Sequence, residues 1–351
     1  VTTFLLVGAG YRTRLLLEVA ERLPGLRCGG VLARTPRPHR HPVHTDLDEA
    51  VRTVRPDFAL VSVAAAANPG LVLALVERGV PVLAETPPAP DLDGLRSLWA
   101  ELERTGSADS VQVAEQYLRM PMHAARRALV RSGALGTPTQ VQVSSTQTYH
   151  AVSIIRGLLE VGRGPATVTA SRVTAPLVQP LDRGGWTDDD TAHPATTTIA
   201  TLDFGDGRSG LYDFTDQQTR NLLRHRRLVV RGSRGELDGD RVVRLGGART
   251  LLSGRLERRQ VGYDVDLNGY DTELISYEGE VLWRNAYLGQ RFMDEELAVA
   301  SMLEAMITSL RGDGPPPYAL AEACADQALG LAVERSAAER TMITTAVEPW
   351  S

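Results

Sequence analysis

A chain of 351 residues, 43% hydrophobic and 23% charged, is long for one core and about right for two soluble domains. Its formal charge of −5 and the lack of a basic stripe argue against a nucleic-acid partner, and no apolar run reaches the roughly 20 residues of a membrane helix. Cys28 and Cys324 are the only cysteines, which leaves no disulfide framework and predicts a reducing, cytoplasmic setting. The opening VTTFLLVGAG lacks a basic flank and a cleavage site, so it reads as a strand rather than a signal peptide. All 38 basic residues are arginine. A GC-rich coding bias is the plain explanation, and the consequence holds whatever the cause: no lysine can form a Schiff base, donate a proton or anchor a phosphate.

Residues 3–7, 26–33, 58–63, 80–84 and 110–114 are short runs rich in Val, Leu and Ala and are predicted as strands. Between them, 11–22, 47–54, 69–78 and 92–104 carry apolar residues at helical spacing. The alternation predicts βαβ units on a parallel sheet, and strands without strict polar alternation fit a sheet covered on both faces. After Pro121 the texture changes. A helix over 123–132 ending at Gly133, a half-exposed strand over 139–148 and a helix over 152–161 lead into β-rich runs between 166 and 252. The turn signals GDG and RGSRGELDGD break those runs. Helices over 294–311 and 319–341, separated by a stiff proline-rich segment, close the chain. The predicted fold class is α/β. An N-terminal Rossmann doubly wound parallel sheet over 1–118 precedes a C-terminal α+β domain with a mostly antiparallel, open-faced sheet over 119–351.

Within the first unit, LLVGAGYRTR places Gly8 and Gly10 after a strand and before a helix. Gly8 permits the tight turn, and Gly10 lets backbone approach a pyrophosphate at the helix N-terminus. Gly8, Ala9, Gly10, Tyr11 and Arg12 are therefore expected at a dinucleotide, although Thr13 stands at the third glycine position. About 20 residues on, an NAD site usually places an acidic residue for the ribose 2′-hydroxyl. Here the second strand ends in VLARTPR, with Arg34, Thr35 and Arg37. An arginine fork suits a 2′-phosphate, so NADP is the expected cofactor and NAD the alternative. No metal is expected: His39, His41 and His44 of HRHPVH lie in a proline-rich stretch with no pattern that completes four ligands. Asp188–Asp190 reads as a solvated loop, with a gating role for 186–190 as its alternative, and the arginines of 224–227 read as a solvated cluster.

Three further stretches, VSVAAAANPG, VPVLAETPPAPDL and VQVAEQYLRMP, together with TYHAVSIIRGLL, occur in an order and spacing that resemble one family along the full chain. It is the glucose-fructose oxidoreductase / inositol 2-dehydrogenase / rhizopine-catabolism (Gfo/Idh/MocA) family. The resemblance implies cofactor contacts from Ser62, Ala64, Asn68, Glu85, Thr86 and Gln116. In that family the fifth-strand segment reads Glu-Lys-Pro, its lysine contacting cofactor and substrate hydroxyl. This chain has Glu85-Thr86-Pro87. The family also carries Asp-x-Gly-x-His before a helix, with the histidine as acid/base; His150 matches it, and Thr146 takes the aspartate's place.

With lysine excluded, the acid/base candidates at matching positions are His150, Tyr117 and Tyr149. His150 suits the task best, because an imidazole titrates near working pH. Tyr117 follows, and Tyr149, adjacent to His150, would point elsewhere in an extended segment. The expectation is an NAD(P)-dependent oxidoreductase of a small polar substrate, a sugar, cyclitol or glycoside being favoured. The resemblance implies a homodimer or homotetramer through the C-terminal sheet. Imine (C=N) reduction in natural-product biosynthesis, a non-catalytic NAD(P)-binding regulator, and redox-neutral glycoside cleavage with retained cofactor remain as alternatives.

Overall fold

The computed structural model describes residues 1–262, 264 and 270–351. Six parallel strands form the first sheet: β1 (Thr2–Val7), β2 (Leu26–Leu32), β3 (Val43–His44), β4 (Phe58–Val61), β5 (Val82–Ala84) and β6 (Val111–Val113). Their order is β3-β2-β1-β4-β5-β6, the doubly wound arrangement, so the direction of winding reverses between β1 and β4. Between the strands run α1 (Tyr11–Ala20), α2 (Leu47–Val54), α3 (Asn68–Val76) and α4 (Leu92–Arg104). The cap of α2 is Asp46, whose side chain accepts from the Glu49 amide, and that of α4 is Asp91, accepting from the Gly94 amide. β1, β4 and β5 are buried along their whole length, as apolar strands covered on both faces must be. The two-residue β3 was not predicted; it lies in HRHPVH and pairs with the end of β2.

α5 (Pro121–Arg131), β7 (Pro138–Ser144) and α6 (Thr148–Leu159) open the second unit. Then come β8 (Thr167–Val178), the two-residue strands β9 (Leu181–Asp182) and β10 (Gly185–Trp186), β11 (Ala192–Asp203) and β12 (Ser209–Thr215). β13 (Arg227–Gly232), β14 (Gly235–Asp238), β15 (Arg241–Gly247) and β16 (Thr250–Arg255) follow as a meander. β17 (Glu257–Gln260), β18 (Thr272–Tyr277) and β19 (Glu280–Arg284) make a separate small sheet. α7 (Asp294–Leu310), α8 (Leu320–Glu339) and β20 (Ile343–Thr344) complete the chain. The nine-stranded sheet has the order β16-β15-β14-β13-β7-β12-β11-β8-β20, and of its described pairs only β7 with β12 is parallel.

One face of this sheet is closed by apolar side chains of α5, α6 and α8, including Ile154, Ile155, Leu158, Leu329 and Val333. On the other face Val173 and Ile199 are exposed. The helix predicted over 152–161 begins earlier, at Thr148, and the strand before it stops at Ser144. Its first turn, Thr148-Tyr149-His150, has no aliphatic stripe to announce a helix, and His150 consequently sits inside that turn instead of ahead of it. The two units also share helices. α7 packs Leu297, Val299, Met302, Leu303 and Met306 with β1 and α1, while α8 gives Leu320, Ala323 and Cys324 to the first sheet's core and Leu329 and Val333 to the second's.

Candidate active site

At the carboxyl ends of β1 and β4, where the winding reverses, lies a cleft of about 1240 Å³. Gly8 turns out of β1 with φ +115°, and a Cβ there would stand 2.1 Å from the Ser62 carbonyl oxygen. Only glycine permits both the conformation and that approach. Thr13, standing where a third glycine is usual, accepts from the Gly10 amide (3.1 Å) and donates to the Ser62 carbonyl (3.2 Å), so it ties the turn to β4. A Cβ on Gly10 would meet no atom within 4 Å and would project into open space at the start of α1. Ala9, Tyr11, Arg12, Arg34, Thr35, Arg37, Ser62 and Ala64 line the cleft, as does Arg183 from the second unit. Among the described residues that lining holds four arginines and no carboxylate, which fits a ligand bearing phosphates. The residues present therefore suit a dinucleotide.

The other expected cofactor residues stand outside the lining, grouped beyond Arg12. Asn68 is buried and its amide nitrogen donates to the carbonyls of Glu85 (3.2 Å), Pro87 (3.4 Å) and Pro88 (3.3 Å), holding the Glu85-Thr86-Pro87 turn. The Thr86 amide and hydroxyl both donate to Glu85 Oε2. Arg12 reaches Glu85 through Nε and Glu295 Oε1 through Nη1 at 2.5 Å, while its Nη2 is buried without a partner among the described residues. Burial pulls the Arg12 guanidinium down, but the two carboxylates outweigh it and hold the charge above its ordinary value. Gln116 donates to Glu295 Oε1 at 3.4 Å, and its own carbonyl oxygen has no partner among the described residues.

His150 Nδ1 lies 2.6 Å from Glu115 Oε2, and the Glu115 side chain is fully buried. The other Glu115 oxygen accepts from the Ser153 hydroxyl and the Tyr117 amide, both at 3.1 Å. Burial alone would lower the imidazole, but the Glu115 charge and hydrogen bond reverse that, and His150 is held above its ordinary value. The Tyr117 ring stacks on His150 with centroids 4.4 Å apart, and Thr146 donates to its hydroxyl at 2.7 Å. Burial raises the Tyr117 phenol. Tyr149 presents its ring edge-on to His150, and its buried hydroxyl has no partner among the described residues. Burial raises that phenol well above the ordinary range.

Glu115, Glu295 and Arg183 were not anticipated. For Glu115 a signal existed: it follows a fully buried apolar strand at its carboxyl end, and an acidic residue so enclosed must have a partner. Glu295 and Arg183 come from distant segments and carry no such mark. A second cavity, of about 690 Å³, borders the site on the Tyr149 side, where Pro87, Gln147, Arg172, Tyr212 and Glu334 line it. Elsewhere, His41 pairs with Glu21, and His44 is buried in β3. Among the described residues no group of three or more His, Cys, Asp or Glu side chains is placed to hold a metal ion. Among them, too, no helix is long and apolar enough to cross a membrane.

The doubly wound sheet, with a cleft at its reversal point and two glycines in the first turn, is the architecture of dinucleotide-binding α/β folds. The family model described as oxidoreductase family, NAD-binding Rossmann fold (GFO_IDH_MocA) matches residues 2–114, so the first domain is similar to that family. Comparison with curated proteins finds no match. Several solved structures are similar over nearly the whole chain. One is an oxidoreductase from Agrobacterium radiobacter in complex with NAD+, L-tartaric acid and magnesium, at 15% identity and TM-score 0.69, covering 97% of this chain and 98% of that one. Another is a myo-inositol dehydrogenase from Corynebacterium glutamicum, at 16% identity and TM-score 0.66, covering 99% of each chain. A third is GenD2 from gentamicin A biosynthesis in complex with NAD, at 17% identity and TM-score 0.66, covering 99% of this chain and 97% of that one. At such identities the likeness is one of fold.

Proposed function

We propose that the protein is an NADP(H)-dependent oxidoreductase whose proton carrier is His150, acting on a sugar, cyclitol or glycoside. The observation that carries this reading is the pairing of His150 Nδ1 with the enclosed Glu115 carboxylate. Nδ1 being engaged, Nε2 is the nitrogen left to exchange a proton with substrate, and Glu115 fixes that tautomer. A bound nicotinamide would supply or accept the hydride. As a secondary alcohol loses hydride from its carbon, His150 takes the hydroxyl proton; in reduction the same proton returns to the carbonyl oxygen. Tyr117 holds the imidazole plane by stacking. Arg12 lines the cleft and pairs with Glu85, and the charges of both act on His150, which supports a proton carrier working beside the cofactor cleft.

Arg34 and Arg37 support the 2′-phosphate assignment, since both line the cleft and, among the described residues, no acidic side chain does. The raised imidazole also suits proton donation near neutral pH, which favours reduction and keeps C=N as well as C=O substrates in view. A purely regulatory cofactor binder has no use for the buried His150–Glu115 pair, whose carboxylate is costly to enclose. The exposed Val173 and Ile199 support self-association through the open sheet face.

The test combines binding with single-turnover kinetics. NADPH is expected to bind more tightly than NADH, and Arg34→Ala is expected to remove the difference. Once a sugar, cyclitol or glycoside substrate is found, His150→Ala is expected to slow hydride transfer by roughly 10²–10⁴ with little change in cofactor affinity. A preference for NADH that Arg34→Ala leaves alone would overturn the NADP assignment. A slowing of less than about threefold would overturn the role of His150.

A further inference from the structure

The β9–β10 hairpin belongs by connectivity to the second sheet, standing between β8 and β11, yet its tip reaches the cofactor cleft. Several local bonds hold its shape. Asp182 Oδ1 accepts from the Gly184 amide at 2.5 Å, and the Thr187 amide and hydroxyl donate to the Pro180 and Gln179 carbonyls at 3.0 and 2.9 Å. Gly185 has φ +115°, a left-handed conformation that favours glycine. The residue carried at the tip is Arg183. Its guanidinium lies 5.5 Å from the centroid of the Tyr11 ring, and Tyr11 is the first residue of α1, directly after Gly10.

The arginines of the cleft differ in their occupation. Arg12 is neutralised by Glu85 and Glu295, and Arg37 donates to the Ala9 carbonyl at 3.3 Å. Arg34, Arg37 and Arg183 have no carboxylate partner among the described residues, and of these three Arg183 alone comes from the second unit. Like charges gathered without counter-charge repel one another, and an anion between them removes that cost. The start of α1 already presents backbone amides and a positive helix end to the same space.

We propose that Arg183 is a ligand of the cofactor pyrophosphate, delivered from the second domain by the 181–186 hairpin as a clamp across the Gly8–Gly10 turn. The proposal rests on the cofactor reading above. It assigns to an arginine from another domain the phosphate-anchoring task that no lysine of this chain can perform. Because the pyrophosphate is common to both dinucleotides, Arg183 contributes equally to NADH and NADPH. Discrimination between them is left to Arg34 and Arg37.

The experiment measures the affinity of the full-length protein for NADH, NADPH and ADP-ribose by calorimetry, with dissociation rates by stopped flow. Arg183→Ala, Arg183→Gln and an exposed control, Arg224→Ala, are compared with the wild type. Arg183→Ala is expected to weaken all three ligands alike, by about tenfold, chiefly through faster dissociation, as loss of one charge-assisted contact does. Arg183→Gln, which keeps donors but not charge, is expected to fall between, and Arg224→Ala to match the wild type. Unchanged ADP-ribose affinity in both Arg183 variants would overturn the proposal, as would a loss confined to NADPH. A wild-type protein that binds none of the three ligands would instead remove the cofactor reading itself, so the two failures are distinct.

Discussion

His150 Nδ1, the Ser153 hydroxyl and the Tyr117 amide surround the Glu115 carboxylate, so its two oxygens are committed to orienting the site. The raised state of His150 follows from that carboxylate. Glu115→Gln removes the charge while keeping the shape, and is expected to let burial dominate and lower the imidazole. For oxidation, where the neutral imidazole accepts a proton, the rate rises with pH through the His150 titration. For reduction it falls with pH through the same titration. In both cases the limb is expected to move to lower pH in Glu115→Gln, and a pH profile of kcat/KM checks it; an unmoved limb removes Glu115 from the mechanism. The two glycines of the cofactor turn separate folding from binding in the same way. Gly8→Ala forces a Cβ against the Ser62 carbonyl at positive φ and is expected to lower the melting temperature. Gly10→Val meets open space and is expected to leave the melting temperature nearly unchanged while abolishing dinucleotide binding. Thermal denaturation and fluorescence titration of the two variants check the contrast.

α6 and α8 are held together by an ion pair with almost no access to water. Arg156 Nη1 lies 2.5 Å from Asp326 Oδ1, its Nη2 lies 2.8 Å from Glu322, and the Tyr318 hydroxyl donates to Asp326 Oδ2 at 2.5 Å. Removing one member of such a pair strands the other, so Arg156→Leu is expected to cost about 3–5 kcal/mol in denaturant unfolding. Burial raises Asp326 from 3.8 to about 6, Arg156 offsetting only part of the effect. A carboxyl whose folded value is raised contributes stability that is full below 3.8 and is lost as pH rises through about 6. The stability of the wild type relative to Asp326→Asn is therefore expected to fall between pH 4 and 6. Melting curves of both proteins across that window measure it, and a constant difference would show that Asp326 titrates as an ordinary carboxylate. The same helix α6 carries His150 in its first turn, so this anchor also positions the proposed proton carrier.

At the scale of the molecule the chain returns to its beginning. α7 lays its apolar side chains against α1 and β1, and Trp350 packs edge-on to Trp99 of α4 with ring centroids 6.2 Å apart. Arg96 of α4 also pairs with Glu348 at 2.7 Å. The first sheet's core is therefore completed by residues of α7 and the C-terminal end, far in sequence from its last strand. A fragment of residues 1–118 leaves that apolar surface open and is expected to aggregate or to lack a cooperative transition, whereas in the full chain the same residues are expected to melt cooperatively. Trp350→Ala is expected to destabilise by about 3–5 kcal/mol, the usual cost of emptying a buried aromatic site. Differential scanning calorimetry of fragment, variant and wild type checks both; a fragment that melts cooperatively would show that the first sheet needs no help from α7.

The local sequence determined the βα alternation of the first sheet and the glycine turn after β1, while the resemblance to a family marked His150 and Tyr117 as acid/base candidates. Each rests on information that is local: hydrophobic period, the conformational freedom of glycine, or a motif of a few residues. The partner of His150 was harder to read, since Glu115 lies 35 residues away and only the meeting of β6 with α6 brings the two together. The same holds for Glu295 on Arg12, for Arg183 over Tyr11, and for Arg156 on Asp326, which join segments distant in sequence. The start of α6 was misplaced because its first turn spends its side chains on the site instead of on an apolar stripe. Periodicity reports how a segment meets its own core, and it is blind to which charged groups the folded chain sets face to face. Those pairings set the His150 titration and the charge of the cleft, so tertiary structure decided the electrostatics of the site.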